Sequence, residues 1–221
     1  MDFDYAAIVN DLRLLREGGV PIAAFHPDNF RTNPPLSEEA VRQFQSEHGV
    51  VLPPSHRGFL IQVGNGGAGP HGGLFRLGEM DDGWESRIWQ EGNGFIGLLS
   101  RPFPHTEPWN DLVGMPVFDE SKDGDREWER AYEAFEDKYW SPEQVNGAIP
   151  ICHLGCARRQ WLVVNGPEAG NVWCDDRVDH LGLHPLQFAD SRRISFLDWY
   201  RTWLDDAVAR LKRVKRALGY R

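Results

Sequence analysis

Ligand-capable side chains crowd into one stretch of this sequence: Cys152, His153, Cys156, Cys174, Asp175, Asp176, His180 and His184. Thiolates, imidazoles and carboxylates of this kind hold zinc when about four of them converge. The spacing is wrong for paired Cys-x-x-Cys knuckles. Cys152 and His153 are also neighbours on an expected strand, which sends their side chains to opposite faces. The residues therefore read as buried, reduced thiols beside unrelated histidines and acids, with no metal and no cofactor. Three cysteines, an odd number without a secretion signal, also argue against a disulfide framework.

Covalent or acid–base catalysis finds no better footing. The chain has no Gly-x-Ser-x-Gly elbow, no His-Glu-x-x-His helix and no phosphate-cradling loop. Acid pairs such as Asp81-Asp82 and Asp175-Asp176 are adjacent in sequence, so their carboxylates diverge and solvation explains them. No catalytic residue is expected, and a metal-dependent hydrolase ranks third among the functional readings.

A different chemistry runs through residues 119–143, which hold ten acidic and four basic side chains. Trp128, Tyr132, Phe135 and Tyr139 repeat there at helical intervals, which predicts an inserted acidic helix over about 122–142. Carboxylates steer towards and pair with Arg or Lys, while aromatic rings supply buried area and cation–π contacts. Trp128, Glu129, Tyr132, Glu133, Glu136 and Trp140 are thus candidate contacts for a basic protein partner; an ordinary solvated helix is the alternative. Nine tryptophans are many for this length. Trp84, Trp89, Trp109, Trp128 and Trp140 fall in acidic or irregular segments, where exposed rings could anchor a partner.

Composition agrees with binding rather than with nucleic-acid or membrane work. The chain has 221 residues, 41% hydrophobic and 26% charged, enough for one domain with a substantial core. Net charge is −9, and it is unevenly spread: the 21 residues from Arg201 carry seven bases and two acids, +5, leaving −14 for the first 200. An acidic body repels phosphates and attracts basic partners. The bases Arg210, Lys212, Arg213, Lys215, Arg216 and Arg221 suit a helix C-terminus, where cations complement the dipole. With no basic-then-apolar leader and no run approaching a membrane span, a cytoplasmic protein is expected.

The elements that must position these residues follow from periodicity and punctuation. Tyr5, Ile8, Leu12 and Leu15 predict an N-terminal amphipathic helix, packed on the outside of a sheet. Ser37 caps a helix over 38–48 that Gly49 ends, and a short helix follows Pro53-Pro54. Short strands are predicted at 74–77, 94–99, 113–118, 148–154, 160–165 and 171–174, the last two forming a hairpin across 165–170. Ser195 and Asp198 open a long C-terminal helix that docks through Leu197, Leu204, Val208 and Leu211. The fold class is therefore α+β: a central mixed or antiparallel sheet of about six short strands, flanked by N-terminal and C-terminal helices, in one domain over 1–221.

Two blocks of residues carry a family likeness. The first is Leu36-Ser37-Glu38-Glu39, Phe44, Gly49-Val50-Val51-Leu52-Pro53, His56-Arg57-Gly58-Phe59-Leu60 and Asn65-Gly66-Gly67. The second is Ile149-Pro150-Ile151-Cys152-His153-Leu154-Gly155-Cys156, Trp161-Leu162-Val163-Val164, Gly170-Asn171-Val172-Trp173 and Ser195-Phe196-Leu197-Asp198-Trp199-Tyr200. Their order over about 36–203 resembles the SUKH superfamily, which includes Smi/Knr-type cell-wall-assembly regulators and bacterial immunity proteins. The resemblance implies a mixed sheet packed by helices and a non-enzymatic cytoplasmic protein. It also implies an immunity protein that neutralises a cognate toxin, often a nuclease, or alternatively an intracellular scaffold or regulator. Leu52, Pro53, Phe59, Leu60, Asn65, Gly66, Gly67 and Trp173 then read as structural signatures of the family rather than as contacts.

Overall fold

The two ends of the chain meet. In the computed structural model, which describes residues 3–18, 29–81, 86–117, 121 and 125–219, helix α1 (Tyr5–Glu17) lies against helix α5 (Phe196–Ala217) and helix α3 (Pro54–Gln62). The Asp4 side chain caps α1 by accepting from Ala7 N, and the predicted stripe of Tyr5, Ile8, Leu12 and Leu15 is buried. Tyr5 donates its hydroxyl to Ser55 O at 3.0 Å. The partner of α1 is thus a pair of helices rather than the sheet, which corrects the expectation.

Helix α2 (Glu38–His48) begins and ends as its sequence dictates. Ser37 Oγ accepts from Ala40 N, Glu38 and Glu39 occupy the first turn, and Gly49 closes it at φ +61°, a left-handed turn that costs glycine little. Pro54 starts α3, where its missing N–H is no loss. The family-motif residues behave as structure: Leu52, Phe59, Leu60 and Trp173 are essentially inaccessible and Pro53 is buried. Asn65 ties two segments together, accepting from Leu77 N and, at its carbonyl, from Asn33 Nδ2. Gly66 and Gly67, at φ +80° and +97°, lie so close to the backbones of 74–76 and 31–33 that a Cβ at either would approach within 2.7 Å. The Asn-Gly-Gly loop is a clasp built of backbone.

Among the described residues six strands form, but in two sheets: β1 (Glu79–Asp81) with β2 (Ser86–Ile88), and a central antiparallel sheet in the order β3 (Ala148–Gly155), β4 (Arg158–Val163), β5 (Val172–Asp175), β6 (Leu183–Pro185). The α+β class holds. The central sheet has four strands rather than about six, and it is wholly antiparallel. Among the described residues 74–77 make a single bridge, Gly67 to Leu74, and 94–99 one, Asn93 to Ile96. Both apolar runs are loops whose side chains reach the core without a strand ladder, as buried Leu74, Ile96 and Leu99 show. Among the described residues 113–117 form no strand, and Phe118 and Trp84 lie outside them. The β4–β5 hairpin is as expected, with Trp161 opposite Trp173.

Because side chains alternate along a strand and register partners share a face, the sheet sorts its residues cleanly. One face carries Leu162, Val172, Gln160 and Cys174 towards α5, where Trp199 Nε1 donates to Gln160 Oε1 at 2.9 Å. The other carries Trp161, Trp173, Arg159 and Asp175 towards the loop of Phe103 and His105, whose rings pack on Trp173. Helix α4 (Arg126–Tyr139) joins this side at its C-terminal end, where Tyr139 stacks on Trp109 and its carbonyl accepts from Arg177. No helix is long and apolar enough to cross a membrane among the described residues.

Candidate partner-binding face

Helix α4 spans a little less than the predicted 122–142, of which 122–124 lie outside the described residues. Asp125 caps it by accepting from Glu127 N. Its aromatic stripe divides by depth. Phe135 and Tyr139 are buried, whereas Trp128 and Tyr132 are half-buried, stack with ring centroids 5.3 Å apart, and are held by Trp128 Nε1 donating to Val117 O. The stripe is thus core at one end and surface at the other.

Glu129, Glu133, Glu136 and Trp140 follow Trp128, Tyr132, Phe135 and Tyr139 by one residue each, so they form a parallel row about 100° around the helix. The three carboxylates are exposed, and among the described residues none pairs with a cation. Like charges at i, i+4 repel, so this row costs helix stability slightly and is not explained by intrahelical pairing. Trp140, half-buried, ends the row at a cleft of roughly 530 Å³ lined by Phe95, Glu136, Asp137, Trp140, Arg159 and Val178, among others. Phe95 is 42% exposed and edge-on to Trp140 at 6.1 Å. The guanidinium of Arg159 lies 4.9 Å from the Phe95 ring, and that of Arg177 lies 4.7 Å from Trp140. All six sequence candidates therefore share one surface, and Phe95, which sequence reading assigned to a strand, joins them. Its signal was a large apolar side chain between glycines, which only the fold shows to be exposed.

Behind this face stands a buried ionic clamp. Asp175 accepts from Arg177 Nε and Nη2 and from Trp161 Nε1, while Arg177 Nη1 donates to Tyr139 O, the last residue of α4. A charge-assisted fork of this kind fixes geometry as well as charge. It ties the end of α4 to β5.

The other aromatic candidates are structural: Trp89 is buried, and Trp109 is half-buried and stacks on Tyr139 at 5.4 Å. Of the possible metal ligands, Cys152, His153 and Cys156 do not gather. All three cysteines are free, but Cys156 is exposed, a correction to three buried thiols: it lies in the β3–β4 turn at φ +50°. Burial pushes the Cys152 thiol up to about 12 and the Cys174 thiol up to about 11. Cys174, Asp176 and His184, however, bring one donor atom each within 4.8 Å of the others. The acid pair separates, Asp175 entering the clamp and Asp176 turning to His184 Nε2 at 2.9 Å.

No protein-family model, curated protein or solved structure matches the chain.

Proposed function

We propose that this chain is a non-enzymatic, cytoplasmic protein-binding module that captures a basic polypeptide on the α4 face, and that as an immunity protein it neutralises a toxin by occluding its active surface. The observation that carries the reading is the row of Glu129, Glu133 and Glu136, unpaired among the described residues, beside the stacked Trp128–Tyr132 pair. Carboxylates without internal partners steer and pair with Arg or Lys, and half-buried rings supply the desolvated centre that interfaces need. An acidic body of −14 over the first 200 residues adds long-range attraction. Against a nuclease, the carboxylates would stand where substrate phosphates bind. The motif order that resembles the SUKH superfamily supports the same conclusion.

Coexpression with the product of the adjacent upstream gene tests it. A stable complex that relieves that product's toxicity is the expected result. Persistent toxicity with no complex overturns the immunity reading and favours an intracellular scaffold or regulator.

A further inference from the structure

On the face of the sheet opposite the α4 surface, register alone assembles an unusual row. Cys152 pairs with Gln160, Gln160 with Cys174, and Cys174 with His184, so one residue from each of four strands lines up on the same face. Asp176 lies two residues beyond Cys174, and the three donor atoms of Cys174, Asp176 and His184 converge. From this convergence we infer that Cys174 Sγ, an Asp176 carboxylate oxygen and His184 Nε2 form a binding site for a divalent transition-metal ion of the zinc class.

Three features support the site. First, thiolate, imidazole and carboxylate together select borderline or soft ions such as Zn²⁺ or Co²⁺ over Mg²⁺ and Ca²⁺. Second, Asp176 Oδ2 meets His184, but Asp176 Oδ1 is buried without a hydrogen-bond partner among the described residues. A buried carboxylate oxygen left unsatisfied is costly, and a cation satisfies it. Third, the access is graded: Cys174 is buried, the Asp176 side chain is 17% exposed and that of His184 is 37% exposed, so an ion can enter from the His184 side.

The ion binds the thiolate, and the thiol proton is released to solvent. Three protein donors leave one tetrahedral position open to water or to a side chain from outside. Occupied, the site joins β5 to β6, the last strand of the sheet, across the turn that carries Val178 to the α4 cleft.

Co²⁺ titration of the untagged full chain tests the inference. The expected result is one Co²⁺ per chain with a near-ultraviolet thiolate-to-cobalt absorption, displaced by Zn²⁺, and absent in Cys174→Ser. His184→Ala alters a partly exposed side chain, keeps the fold by circular dichroism, and should weaken binding by more than the about 10–100-fold that loss of an outer-shell partner costs. Absence of the thiolate band in the wild-type chain, its persistence in Cys174→Ser, or wild-type affinity in folded His184→Ala overturns the site.

Discussion

Arg177 and Asp175 hold one another through two hydrogen bonds of 2.8 and 2.7 Å with side chains only 1% and 3% exposed. Removing one member of such a pair leaves a buried charge uncompensated, whereas replacing both with apolar groups is often neutral. Arg177→Ala is expected to cost about 3–5 kcal/mol in urea unfolding and to raise amide exchange at the C-terminal end of α4, which loses its Tyr139 O contact. Arg177→Met with Asp175→Leu should recover part of that stability, the remainder being the hydrogen-bond partners that Trp161 Nε1 and Tyr139 O lose. A small effect of the single change would show that the clamp does not anchor α4.

Charge reversal on α4 separates binding from folding. Glu129, Glu133 and Glu136 are exposed and, among the described residues, unpaired, so replacing all three with Lys should shift the melting temperature little. The same triple change is expected to slow association with a basic partner by on the order of 10-fold or more and to flatten its salt dependence, measured by stopped flow. Trp128→Ala should instead speed dissociation, since it removes contact area rather than steering.

Acid should destabilise the fold through two imidazoles. Burial drives His56 down to about 3; burial, aided by the charge of Arg177, drives His105 down to about 4. Both are neutral when folded and titrate near 6.5 when unfolded, so below 6.5 the unfolded chain binds more protons. Stability is full above that pH and falls as pH drops towards 4, by about 1.4 kcal/mol per pH unit for each imidazole held neutral. His56 Nδ1 has no hydrogen-bond partner among the described residues, and its ring packs edge-on to Phe196 at 4.7 Å. His56→Leu should therefore reduce the slope of urea midpoint against pH between 4 and 6.

The Asn-Gly-Gly clasp predicts an intolerance that has nothing to do with contacts to a partner. A methyl group at Gly66 would meet Leu74 O at 2.7 Å, and one at Gly67 would meet Arg31 O at 2.6 Å, both at positive φ. Either Ala substitution is expected to cost about 2 kcal/mol or more, read as a lowered denaturation midpoint. Unchanged partner affinity per folded molecule would accompany it if the loop is purely structural.

Helices were legible because their signals are local. Asp4, Ser37, Asp125 and Ser195 each cap a helix through the side chain, and the buried faces follow the apolar spacing. Strands were less so. Leu183-His184-Pro185 is three residues ending in proline, and its strand character comes from pairing with β5, which sequence does not display. Runs such as 94–99 have strand composition, but their backbone is held by side chains rather than by a ladder, Leu98 N donating to Asn146 Oδ1 and Leu99 N to Glu91 Oε2. The same blindness hid which ligand-capable residues meet. Cys174, Asp176 and His184 all stood among the candidates, but that these three converge follows only from the β5–β6 register. On the α4 face, the acidic row and aromatic stripe could be read from periodicity, whereas Phe95 could not.

The last buried residue of α5 is Leu211, and beyond it Lys212, Arg213, Lys215 and Arg216 continue on that helix, whereas α4 carries the acidic row Glu129, Glu133 and Glu136. Basic and acidic groups thus sit on different helices, which gives the molecule a charge moment in addition to its net charge. An approaching basic protein would be rotated as well as attracted, meeting α4 before any contact forms. Two copies at low ionic strength would tend to align nose to tail, an ordering that physiological salt, with its screening length of about 8 Å, largely erases.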